Sequence, residues 1–193
     1  MDPELPRISG GMFPDIYESL GLDTENLGCL MIDVEPFETT ALVTNGENDL
    51  YIGDNGVHTF GEPLVKHVTL FHGFLQSATV FAPFIDEILD GWEIPDVPIL
   101  GVSAFPKGPN ADYTVIKLDV LPTPELLWGH DAVSLLPHID FHPQYHPHVT
   151  AAYVIDGPSD VSWADSIVDK WVQTLDAVFA GNTLNSLGLN YGS

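Results

Sequence analysis

The chain has 193 residues, enough to bury a substantial core and within the usual size of one domain. Its 45% apolar content is that of a globular protein, and no stretch approaches the roughly 20 consecutive apolar residues of a membrane span. The formal net charge is -23, with only Arg7, Lys66, Lys107, Lys117 and Lys170 as fixed cations, which argues against the many-lysine grip that holds duplex DNA or long RNA. A nucleotide partner is therefore expected to be small, and most of the acidic residues read as a solvated coat. The start Met1-Asp2-Pro3-Glu4 does not read as a secretory signal, and the single Cys29 has no internal disulfide partner. Both suit a cytoplasmic protein with no membrane attachment.

In chain order, a short helix is predicted over 14–20, ended by Gly21, and a first strand over 29–34. Between Glu38 and Glu62 the Asn-Gly and Gly-Asp-Asn-Gly turns predict loops around a short strand at 50–52. A strand follows over 67–74, then a helix over 83–89 whose face would carry Phe84, Ile85, Ile88 and Leu89. Residues 97–105 and 113–120 read as a hairpin turning through Pro106-Lys107-Gly108-Pro109-Asn110. Thr123, followed by Pro124 and Glu125, predicts the cap of a helix ending near Leu136. A proline-interrupted loop (137–147), a strand over 148–155 and a helix over about 162–179 complete the core, with Gly181 closing the helix. That helix would bury Trp163 and Trp171, and the tail around Leu184 to Tyr191 could add a last strand.

Each half of the chain holds a His-Val-Thr strand followed by a helix, which suggests two similar lobes. Side chains two apart on a strand share a face, so His67 points with Thr69 and His148 with Thr150, while the valines turn to a core. Phosphodiester cleavage needs a base for the attacking oxygen, an acid for the leaving oxygen, and donors for the phosphoryl oxygens. Two imidazoles, with unperturbed pKa values of about 6.5, and two hydroxyls supply these without a metal or other cofactor. Surface carboxylates favour imidazolium, so the expected pH optimum lies near or slightly above neutral.

With these residues in view, the chain resembles the two-histidine (2H) phosphoesterases, which include bacterial RNA 2′,5′-ligases, cyclic phosphodiesterases and phage enzymes. His67-Val68-Thr69-Leu70 is similar to the family's first motif and Pro147-His148-Val149-Thr150 to its second. The run from Gly61 to Gly73 resembles phage members, among them anti-CBASS enzymes that degrade cyclic oligonucleotide immune signals. The resemblance implies an α+β fold, bilobal and pseudo-symmetric, of two antiparallel sheets around a central groove with flanking helices. It implies one such domain over 1–193, with residues 1–27 as an extension and a core of about 28–191. It also implies cleavage of a phosphodiester in a small linear or cyclic nucleotide or oligonucleotide, in the host cytoplasm if phage-encoded. The alternatives are a 2′,3′-cyclic phosphodiesterase or 2′,5′-RNA ligase-like RNA-end enzyme, and a binder that sequesters nucleotides without cutting them. A protein whose His-Val-Thr strands are merely core would owe these residues only stability.

Among other residues, Phe71 lies on the catalytic face by strand parity, and Phe141 and Tyr145 lie in the loop before His148; each could stack on a base. Lys66 could reach a phosphate, with a salt bridge as its default role. Parity puts His72 on the face opposite His67. His138, His142 and His146 are separated by prolines and read as loop histidines, not as a metal site.

Overall fold

A computed structural model describes residues 27–53, 61–105, 111–140, 144–155 and 166–192. The expected helix over 14–20, the turn over 106–110, Phe141, His142 and Trp163 lie outside these residues. The strands are β1 (Gly28–Val34), β2 (His67–Phe74), β3 (Val97–Ala104), β4 (Tyr113–Val120), β5 (His148–Ile155), β6 (Thr183–Leu184) and β7 (Ser186–Gly192). The helices are α1 (Gly46–Asp49), α2 (Ala78–Ile88), α3 (Pro124–Val133) and α4 (Ile167–Phe179), with a 3-10 turn at Thr40–Leu42. The fold is thus mixed α+β, as the sequence predicts. Where two sheets were expected, the strands form one seven-stranded antiparallel sheet in the order β6-β3-β4-β5-β2-β1-β7.

β1 and β4 alternate strictly between buried and half-buried residues. The buried set, Leu30, Ile32, Val34, Ile116, Leu118 and Val120, joins Val68 and Val149 in a single core cluster with Ile85 of α2, Leu126 of α3, and Trp171 and Leu175 of α4. The helices therefore cover one face of the sheet. The other alternating set lies on the opposite face, with no helix over it among the described residues. Trp171 is fully buried, as predicted, and its indole nitrogen donates to Asp49 at 2.9 Å.

Thr123 caps α3 as the sequence predicts, its hydroxyl accepting from the Leu126 amide at 3.2 Å. α2, by contrast, starts five residues before Pro83, behind the Ser77 cap. Pro83 sits inside it on the solvent side, without an N–H to offer the carbonyl of Thr79, which is also exposed. This turns Phe84 outward at 57% exposure and leaves Ile85 on the core face. The segment expected as a strand at 50–52 contributes only a bridge from Leu50 to Val154. The tail forms a full strand, β7, paired with β1 from Cys29 to Val34. No helix among the described residues is long and apolar enough to cross a membrane.

Candidate active site

The centre of the sheet is the junction of β2 and β5, which meet antiparallel with Val68 opposite Val149. Counting outward, His67 lies across from Thr150 and Thr69 across from His148. Directly opposed residues share a face. Both valines are fully buried, so all four His and Thr side chains stand on the face free of helices, half-exposed. The two pairs that the sequence places in opposite halves of the chain thus form one compact quartet.

The strands flanking this junction match each other. On β1, Asp33 lies opposite His67 and Met31 opposite Thr69. On β4, Asp119 lies opposite His148 and Lys117 opposite Thr150. Each histidine therefore has an aspartate beside it on the face of the quartet. Asn190 of β7 holds both Asp33 oxygens, at 3.1 and 3.2 Å. Asp119 is ion-paired with Lys117. Phe105, just past β3, puts its ring edge-on to His148 at 5.0 Å between centres and lies 5.1 Å from the Lys117 ammonium. Of the described lysines, Lys117 is the one that the register places on this face.

Sequence reasoning missed Asp33, Asp119, Lys117 and Phe105. A signal for the aspartates was present: Asp33-Val34-Glu35-Pro36 and Asp119-Val120-Leu121-Pro122 repeat the pattern Asp-Val-x-Pro, each on a strand that neighbours a His-Val-Thr strand. Lys117 and Phe105 carry no such mark, because only the strand register brings them to the histidines.

Electrostatics distinguish the two rings. Burial pushes the His67 pKa below the ordinary histidine value; the Asp33 carboxylate pulls it back up and a charge on His148 pushes it further down. At His67 desolvation thus outweighs the nearby carboxylate. His148 Nδ1 lies 3.0 Å from the His146 carbonyl oxygen. A carbonyl only accepts, so Nδ1 carries a proton in this contact.

Both His-Val-Thr strands bulge immediately after the threonine. Leu70 is the extra residue on β2, between the pairs Met31↔Thr69 and Leu30↔Phe71; Ala151 is the extra residue on β5, between Lys117↔Thr150 and Ile116↔Ala152. The bulge corrects two parity readings. Phe71 turns into the core at 6% exposure, stacked on Phe74 at 4.8 Å, and His72 moves to the catalytic face, opposite Cys29.

Lys66 is 2% exposed on the helix-covered side, bonded to Glu62 at 3.5 Å and to the Ala151 carbonyl at 3.0 Å, and takes the salt-bridge role rather than the phosphate role. The Tyr145 hydroxyl donates to the Thr69 carbonyl at 2.9 Å while its ring stacks on His130 at 4.2 Å. Burial raises the pKa of that phenol, keeping it a donor. His138 bonds the Leu136 carbonyl and His146 the Gln144 side chain, and no metal-binding group of acidic, histidine or cysteine side chains occurs among the described residues. No protein-family model matches the chain, and no curated protein matches it in sequence.

Proposed function

We propose that the chain is a two-histidine phosphoesterase: a metal-independent phosphodiesterase that cleaves a small nucleotide phosphodiester between His67 and His148. The observation that carries this reading is the apposition of Val68 and Val149, which sets His67 against Thr150 and Thr69 against His148 on one accessible face. His67, held neutral by desolvation, takes the proton from a ribose 2′-hydroxyl or a water. His148, in its imidazolium form with Nδ1–H bonded to the His146 carbonyl and Asp119 across from it, gives its Nε2 proton to the departing ribose oxygen and is left as the neutral ring. Thr69 and Thr150 donate to the phosphoryl oxygens, and Lys117 adds positive charge beside Thr150.

The matching surroundings of β2 and β5, with an aspartate across from each histidine and a bulge after each threonine, support the bilobal, pseudo-symmetric organisation of that family. So does the helix that follows each catalytic strand. A cytoplasmic setting and a role against cyclic oligonucleotide immune signals belong to the same proposal.

The test is incubation of wild type, His67→Ala and His148→Ala with cyclic di- and trinucleotides, 2′,3′-cyclic nucleotides and short oligoribonucleotides in EDTA, with products resolved by chromatography. Cleavage by wild type alone is expected. Activity that EDTA abolishes and a divalent metal restores would sink the mechanism. Ligands that co-elute with the protein intact would mean sequestration without turnover.

A further inference from the structure

The two bulges do more than interrupt pairing. On a regular strand the residue five places after a catalytic histidine falls on the opposite, core-facing side. One extra residue reverses that parity. On β2 the reversal brings His72 opposite Cys29; on β5 it brings Tyr153 opposite Val115. His72 and Tyr153 are thus equivalent positions, each the fifth residue after its histidine, each an aromatic ring, and each on the face of the quartet. The strands run antiparallel through Val68 and Val149, so the two rings leave the quartet in opposite directions. With a rise of about 3.3 Å per residue, each stands about 10 Å along its strand from the centre of the quartet.

Their surroundings differ. Tyr153 is half-buried, edge-on to Tyr113 at 5.5 Å, and Tyr113 meets Tyr51 at 5.1 Å, a three-ring shelf at one end of the site. His72 is exposed at the other end.

We propose that Tyr153 and His72 are paired base-stacking subsites flanking the reaction centre, so that the substrate is a phosphodiester joining two nucleosides, within a linear or cyclic oligonucleotide. A 2′,3′-cyclic mononucleotide would fill only one of them. The proposal rests on the phosphodiesterase reading above and selects among its substrates. Stacking suits this site because aromatic contacts hold bases without the cations that the chain lacks. Tyr153, backed by its shelf, is the stronger platform.

The test uses a dinucleotide with a hydrolysis-resistant phosphorothioate linkage and 2-aminopurine at either base, whose fluorescence reports stacking, alongside cleavage assays in EDTA. Tyr153→Leu and His72→Ala are each expected to weaken binding about 5- to 100-fold, as loss of one stacked base does. Tyr153→Phe and His72→Phe, which keep a ring, are expected to bind as wild type and guard against misfolding as the cause. Wild type is expected to cleave the internucleotide linkage with higher kcat/KM than a 2′,3′-cyclic mononucleotide, and His72→Ala to narrow that gap. If His67→Ala and His148→Ala abolish cleavage while the Leu and Ala variants bind as wild type, the subsites fall and the mechanism stands. If the two histidine variants cleave as wild type but Tyr153→Leu loses binding, the mechanism falls and the subsites stand. If wild type binds no dinucleotide, the subsites fall.

Discussion

Lys66 Nζ lies 3.0 Å from the carbonyl oxygen of Ala151, the residue whose insertion bulges β5. Lys66 immediately precedes His67, so the residue before one His-Val-Thr strand secures the bulge of the other. Tyr145, three residues before His148, does the converse by donating to the carbonyl of Thr69, beside the bulge of β2. The register joins β2 to β5 only at Val68 and Val149, and these two side chains tie the halves on either side of that point. Lys66→Met leaves the Ala151 carbonyl and the Glu62 carboxylate short of a donor. A stability loss of about 1–3 kcal/mol is expected, measured by denaturant titration. If Lys66 is a positioning residue, kcat should fall by up to about 100-fold with KM little changed. A drop in stability alone would leave it a purely structural residue. Tyr145→Phe should act in the same direction at about 1 kcal/mol.

The pH behaviour of His67 can be checked without knowing the substrate. Burial lowers its pKa, Asp33 opposes that shift and His148 reinforces it. By NMR titration, His67 should therefore ionise below the value of about 6.5 for a free imidazole. Asp33→Asn should lower it further, and His148→Gln should raise it. The acid limb of kcat/KM should move in parallel, since the base must be neutral. A His67 pKa above that of the free imidazole would contradict the assignment of His67 as the base.

The quartet was legible in the sequence because it depends on local parity: two identical triplets, each starting a strand with the alternation of a half-buried sheet. β2, β4 and β5 were legible for the same reason, and α3 because Thr123 and Pro124 carry a capping signature. What was not legible depends on partners. Nothing local announces a bulge at Leu70, since apolar Leu70 and Phe71 fit either face, so Phe71 and His72 were assigned to each other's sides. Pro83 read as the start of α2 because the apolar positions Phe84, Ile85, Ile88 and Leu89 begin there, whereas the Ser77 cap and the burial of Ala78 and Ile85 set the true start. Lys117 reaches the site through the register of β4 with β5, a long-range pairing that no window of sequence contains.

Lys117 and Asp119 lie two residues apart on the face of the quartet and are ion-paired, with Lys117 opposite Thr150 and Asp119 opposite His148. Lys117→Met removes the cation and leaves a carboxylate facing the phosphate site. A rise in KM of about tenfold or more is expected, the scale of one charge-assisted hydrogen bond. Lys117→Met combined with Asp119→Asn should recover part of that loss, because the exposed carboxylate is then gone, and the recovery measures the coupling directly. Equal KM values for wild type and Lys117→Met would remove Lys117 from the site.

Glu62 gives the fold an acid-sensitive point. Burial disfavours its charged form, but the Thr40 hydroxyl, the amides of Thr39 and Thr40 and the charge of Lys66 outweigh that and hold its pKa below the ordinary value of 4.5. The unfolded chain therefore takes up this proton first as pH falls, so the stabilisation is complete above the ordinary value and is lost as pH drops through the lowered one. His67 has the same sign, its neutral form favoured in the fold, so its contribution is lost below about 6.5. Chemical denaturation between pH 7 and pH 3 should show two descending segments, the upper from His67 and the lower from Glu62. Glu62→Gln should flatten the lower segment and leave the upper one, while His67→Ala should do the reverse. A lower segment unchanged in Glu62→Gln would mean that the network of Thr39, Thr40 and Lys66 does not set the acid limit of the fold.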